Sequence, residues 1–180
     1  MLKSSKNLKT IAAVSIPPRQ DLKFEVLKRF RLVFKAAQQH ANRIESYSGI
    51  SNAQLWAIWE ISQNPGIRVT ELAQALSIHQ TTVSNMLEKL CKNGLIIRER
   101  MNEDDLRVVS LRLTDSGQQL LVNSPKPPQG VLQNALFNLP DHTLISLERN
   151  LDELIQMMNG TDPNAQMRPL EFLGKSSEIE

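Results

Sequence analysis

The run HQTTVSNMLEKL, His79 to Leu90, opens with amides and hydroxyls at the start of an apparent helix, where acidic side chains are the common choice. On a helical wheel, at about 100° per residue, Val83, Met86, Leu87 and Leu90 gather on one side with Cys91 at its edge. Thr81, Thr82, Ser84, Asn85, Glu88, Lys89 and Lys92 lie opposite. The first two outward turns therefore offer short hydrogen-bonding groups, and basic charge comes only later. That order suits a helix pushed end-on into a DNA major groove: Thr81, Thr82, Ser84 and Asn85 reach base edges, and Gln80 pairs adenine or touches phosphate at the mouth. Lys89 meets phosphate further along. An acidic first turn would repel the nucleic-acid backbone. The plainer reading, an amphipathic surface helix with a polar start, stands beside it until the surroundings are considered.

Few other residues are spaced for chemistry. His40, His79 and His142 are scattered, with no HExxH and no paired-histidine pattern, so no metal ligand set emerges. A single cysteine excludes an intrachain disulfide framework and a cysteine-built zinc site, and fits a reducing cytoplasm. No Gly-rich phosphate loop and no nucleophile–base pair is present, so neither catalysis nor a cofactor is expected. Cys91, at the edge of a core face, reads as a buried structural thiol rather than an oxidant sensor, which would need a depressed pKa.

The elements that must position the helix from Gln80 can be read from periodicity and punctuation. Phe24, Leu27, Phe34 and Ala41, with Phe30 and Val33 beside them, recur at helical spacing from Leu22 to about Ser46. Ser51 can cap a second helix through Ile61, which Asn64-Pro65-Gly66 ends. Thr70 can cap the short helix ELAQALS. A tight turn at Ser77-Ile78-His79 leads into the longer helix, stopped at Lys92-Asn93-Gly94. Short helix, turn, longer helix is helix-turn-helix order. The period then changes: LIIRER and RVVSLRLT read as strands, with the acidic MNEDDL as hairpin tip. Thr114-Asp115-Ser116 opens another helix, which the prolines of PKPP must interrupt. Leu144, Leu147, Leu151, Leu154 and Met158 give the helix from about Asp141 a seam that packs along a partner. Residues 161–180 show no pattern and read as a flexible tail. The fold class expected is mainly α with a small β-hairpin wing: a winged helix-turn-helix core over 50–123, a long helix over 21–49 before it and helices over 129–160 after it.

A chain of 180 residues with 41% hydrophobic content supports one domain with a real core. The net charge of +2 hides an asymmetry. Residues 1–35 carry nine Lys/Arg against Asp21 and Glu25, whereas residues 115–180 carry four basic and nine acidic side chains. Residues 1–20 read as a flexible basic arm, a solvating tail or a polyanion contact. Its apolar run IAAVSI is too short for a signal peptide, and no stretch approaches the ~20 apolar residues of a membrane span. A cytoplasmic protein without membrane contact is expected.

The run VTELAQALSIHQTTVSNMLEKLCKNGLIIRERMNEDDLRVVSLRLTDSGQQLL resembles the winged-helix core of the MarR family of bacterial transcriptional regulators. The likeness rests on the tELA-to-GLi frame, an acidic hairpin tip holding Asp105 and Arg107, and LTDSG opening the next helix. The long first helix and the Leu-rich last helix match the family's dimerisation elements, so the likeness spans about residues 21–160. It implies a homodimer on a pseudo-palindromic operator, with helix 80–93 in the major groove and hairpin 98–112, from Arg98 onward, reaching the minor groove. Arg107 matches the wing arginine and Asp105 the aspartate that orients it, an arrangement favoured by the negative potential of a narrow minor groove. Repression released by a small aromatic or phenolic effector follows from the same likeness, with His40, Arg43, Tyr47 and Trp56 as its liners. A winged-helix module that binds protein without sequence-specific DNA contact stays open as the alternative, because residues 67–114 hold seven basic and six acidic side chains.

Overall fold

The computed structural model describes residues 18–100, 109–159 and 161–170. The chain divides into two compact units, residues 1–32 and 33–180. The described elements are α1 (Arg19–Ser48), α2 (Asn52–Gln63), α3 (Val69–Leu76), α4 (Gln80–Lys92), β1 (Ile96–Arg100), β2 (Val109–Leu113), α5 (Asp115–Asn123), α6 (Val131–Phe137) and α7 (Asp141–Gln156), followed by a 3-10 turn, Pro163–Met167. This is the winged helix-turn-helix arrangement that the sequence predicts.

Local chemistry sets most boundaries. At α2 the Ser51 hydroxyl accepts the Gln54 amide at 3.3 Å while the Gln54 side chain accepts the Ser51 amide at 2.9 Å, a reciprocal capping box. The start of α3 departs from expectation: Arg68, not Thr70, is its N-cap, and Thr70 lies inside the first turn. The reason is Glu71, whose carboxylate reaches back to the Arg68 amide at 2.9 Å. Gly94 closes α4 at φ +67, a left-handed position that costs glycine nothing.

β1 and β2 pair antiparallel, with Ile96 opposite Leu113 and Arg98 opposite Leu111. The segment before α3 lies along the other edge of β2. Gly66 donates to the Leu111 carbonyl at 2.9 Å, and the Leu111 amide donates to Ile67 at 3.1 Å. The hairpin is thereby bonded to the chain that enters the helix-turn-helix.

The core of the larger unit is one cluster. Leu55, Ile58 and Ile61 of α2, Leu72 and Leu76 of α3, Val83, Leu87 and Leu90 of α4, Ile96 of β1 and Leu111 of β2 are all buried, with Ile44 from α1 among them. Each such side chain contributes about 1.5–3 kcal/mol relative to exposure. Buried His40 joins α1 to the segment before α6: its Nε2 lies 2.9 Å from the Pro127 carbonyl, which only accepts, so Nε2 carries the hydrogen. By contrast α7 has no buried residue, and Leu147, Leu154 and Met158 are exposed, as are Phe24, Leu27, Val33 and Phe34 of α1. Among the described residues no helix is long and apolar enough to cross a membrane.

Candidate nucleic-acid interface

The α3–α4 turn is tight because Ser77 adopts a left-handed conformation, φ 53 and ψ 43, and the Ile78 amide returns to the Ala73 carbonyl at 3.1 Å. Ile78 is buried beneath the turn, so the path from α3 into α4 is pinned on its inner side. Val83, Met86, Leu87 and Leu90 then hold α4 against the core by one face. What remains outward is the polar face. Gln80, Thr81, Asn85 and Lys89 are exposed, and Thr82 and Ser84 are half-buried at its margins.

The electrostatics of α4 favour an anion at its start. His79 is the N-cap but gives no side-chain hydrogen bond, and no acidic residue stands in the first turn. The helix therefore presents amides and the positive end of its dipole there, while Lys89 and Lys92 stand in its last turn at the opposite end. Arg98 is exposed on β1, and its Nη2 reaches the Ser84 carbonyl at 3.5 Å, the long limit of a hydrogen bond. It joins the base of the hairpin to the outward face of α4. Asp105 and Arg107 lie outside the described residues.

The hairpin is fastened to α4 from behind. Thr114 caps α5: its hydroxyl accepts the Gly117 amide at 3.0 Å and donates to the Gly94 carbonyl at 2.6 Å. Its own amide donates to Leu95 at 3.2 Å. The LTDSG motif therefore acts as a clip from α5 onto the turn between α4 and β1. Sequence reasoning missed the Glu99–Arg112 ion pair across the hairpin, at 2.7 Å. Glu99 opposes Ser110 and Ile97 opposes Arg112, so the two charges are diagonal neighbours on one face of the ladder. The opposite charges of Glu99 in one strand and Arg112 in the other were the available signal. With both side chains about half exposed, the pair contributes only ~0–1 kcal/mol.

The four residues assigned to an effector divide between two helices. His40 is buried, and Arg43 and Tyr47 are exposed on α1. Half-buried Trp56 on α2 donates from Nε1 to Glu60 at 3.0 Å and meets Phe137 edge-on at 6.1 Å between centroids. A cleft of about 630 Å³ opens instead beside another face of α1: Gln38, Asn42 and Glu45, the start of α2, and Thr82, Asn85 and Lys89 of α4 line it, with Pro169 and Leu170. None of His40, Arg43, Tyr47 and Trp56 lines it. Cys91 is half-buried and packs against the core cluster. Among the described residues no group of three or more His, Cys, Asp or Glu is placed to hold a metal ion.

Residues 50–109, from within the α1–α2 loop to the first residue of β2, match the model of the MarR family. Over 97 residues the chain is 27% identical to the uncharacterized HTH-type transcriptional regulator YdgJ of Bacillus subtilis, covering 54% of this chain and 58% of that protein. Over 69 residues it is 32% identical to the HTH-type transcriptional repressor MdtR of the same organism, covering 38% of this chain and 44% of that one. The chain thus spans about half the length of these curated relatives. Among solved structures, the YusO protein of B. subtilis superposes with a TM-score of 0.50 at 20% identity, over 79% of this chain and 100% of that one. The S. aureus MepR–DNA complex superposes with a TM-score of 0.50 at 22% identity, over 78% and 98%. These two likenesses show the fold.

Proposed function

We propose that this chain, whose residues 50–109 match the MarR family model, is a DNA-binding transcriptional regulator acting as a homodimeric repressor on a pseudo-palindromic operator. The observation that carries this reading is the outward face of α4, where exposed Gln80, Thr81 and Asn85 stand at an amide-rich helix start and Lys89 follows. Thr82 and Ser84 flank the same face. In this reading asparagine and glutamine pair adenine, threonine methyls pack on thymine, and Lys89 meets phosphate. Arg98 sits at the root of the wing, and Arg107, oriented by Asp105, enters the minor groove by virtue of the family likeness. The relative MdtR, a transcriptional repressor, supports repression, and the DNA-bound MepR structure shares the fold.

Dimerisation is supported by the apolar side chains left uncovered on α1 and α7. Two copies related by a twofold axis place their α4 helices one DNA turn apart, about 34–36 Å. A small aromatic or phenolic effector as releasing ligand belongs to the same proposal. The cleft of about 630 Å³ falls within the ~300–1,000 Å³ usual for such ligands. A protein-binding module is the reading favoured by the near-balanced charge of residues 67–114, and a salt series separates the two: DNA binding must weaken steeply as salt rises.

The deciding experiment compares two variants on a library of single-base operator variants obtained by selection from genomic fragments. Asn85→Ala is expected to relax preference at one position in each half-site, a discrimination of ~1–3 kcal/mol. Lys89→Ala is expected to lower affinity evenly and reduce the salt slope by ~1. Uniform weakening of every operator variant by Asn85→Ala would remove that face from base readout.

A further inference from the structure

Residues 161–170, patternless in sequence, are ordered against the face just assigned to DNA. Asp162 opens the turn Pro163–Met167, its carboxylate accepting the Asn164 amide at 2.9 Å. The Ala165 amide donates to the Asp162 carbonyl at 3.0 Å, the Arg168 amide donates to Ala165 at 3.1 Å, and Arg168 lies 3.6 Å from the Asp162 carboxylate. The segment is thus a closed, self-bonded turn with little left to order when it docks.

One hydrogen bond docks it. The Met167 carbonyl accepts the His79 amide at 3.0 Å, at the N-cap of α4. Beyond it Pro169 and Leu170 stand on the cleft that Thr82, Asn85 and Lys89 line. The carbonyl oxygen therefore takes an amide at the helix start, where a phosphate oxygen would otherwise accept. Pro169 and Leu170 stand where a groove wall would approach Thr82 and Asn85.

We propose that residues 162–170 form an autoinhibitory strap over the DNA-reading face of α4, displaced when DNA binds. The inference rests on the DNA reading of α4 given above. The strap competes for the same donor and the same surface, so docking and DNA binding exclude each other. Its attachment is weak: one backbone hydrogen bond, with Pro169 and Leu170 at the edge of a cleft. A closed-to-open ratio of order five follows from one such bond, and apparent operator affinity falls by a similar factor.

The test uses the full chain with Pro169→Gly and Leu170→Gly together, one half-buried and one exposed position, neither of them part of the core cluster. Fluorescence anisotropy on a labelled duplex carrying the selected operator is read beside hydrogen exchange of the His79 amide without DNA. The double variant is expected to bind about fivefold more tightly, and its His79 amide to exchange several-fold faster. Equal affinity of the two proteins for the duplex overturns the strap and leaves the DNA reading standing. Binding by neither protein overturns the DNA reading, and the inhibitory role with it. Unchanged exchange at His79 also overturns the proposal, because it shows that Pro169 and Leu170 do not hold the segment over that amide.

Discussion

Gly117→Ala should destabilise the protein, although the same change inside most helices stabilises by up to ~1 kcal/mol. Gly117 is buried in α5, and an ideal Cβ there would overlap the backbone oxygen of Leu95. A carbonyl oxygen cannot swing aside as a side chain does. This one also accepts the Thr114 amide at 3.2 Å, and the Thr114 hydroxyl holds the adjacent Gly94 carbonyl at 2.6 Å. Relief requires lifting α5 off the turn between α4 and β1. Overpacking costs about 1–3 kcal/mol, and one or two lost hydrogen bonds cost about 1 kcal/mol each. Set against the helix gain, the net loss is about 2–3 kcal/mol. Gly94→Ala is the control: at φ +67 its Cβ meets nothing within 4 Å, so only backbone strain of about 1 kcal/mol is expected. Urea unfolding of both variants, read as midpoint shifts at constant slope, compares them directly. A Gly117→Ala protein as stable as the parent, or less damaged than Gly94→Ala, would refute the clip.

Sedimentation at micromolar concentration should show a dimer, and Leu147→Glu with Leu154→Glu should shift it toward monomer, because both side chains are exposed on a helix with no fully buried residue. A monomeric parent chain would end that expectation. Lys28 first, then Arg29, donates to the Glu25 carboxylate, at 2.8 and 2.9 Å, and holds its pKa below the ordinary 4.5. A depressed folded-state pKa means the pairs support the helix above the ordinary value and release it as pH falls through the folded one. The amino-terminal part of α1 should therefore lose helicity in that acid range, and Glu25→Gln should remove the dependence. A Glu25 titration midpoint at or above 4.5 by nuclear magnetic resonance would show that the two cations do not act on it.

Much of the helix-turn-helix was legible because its determinants are local. The α4 wheel separated Val83, Met86, Leu87 and Leu90 from the polar face, since a 3.6-residue period needs no partner to be seen. Ser51 and Thr114 announced their caps, because a hydroxyl meets an amide only three residues on. Thr70 misled for the complementary reason. Its hydroxyl is a good cap by type, but Glu71 bonded back to Arg68 and started the helix earlier. The likeness around LTDSG identified a helix start, yet the need for Gly117 came from Leu95, a residue brought to it only by the fold.

The rest depends on pairs far apart in sequence. The hold of Gly66 and Ile67 on Leu111 and the Met167 carbonyl at the His79 amide join backbone groups that carry no side-chain signature, and the His40 ring meets a Pro127 carbonyl that carries none either. The amino-acid sequence by itself determined which helices form, which face of α4 turns inward, and where the hairpin begins. Tertiary structure alone decided what lies over the outward face. Every residue but proline has the same amide and every residue the same carbonyl, so only three-dimensional proximity selects which of them bond.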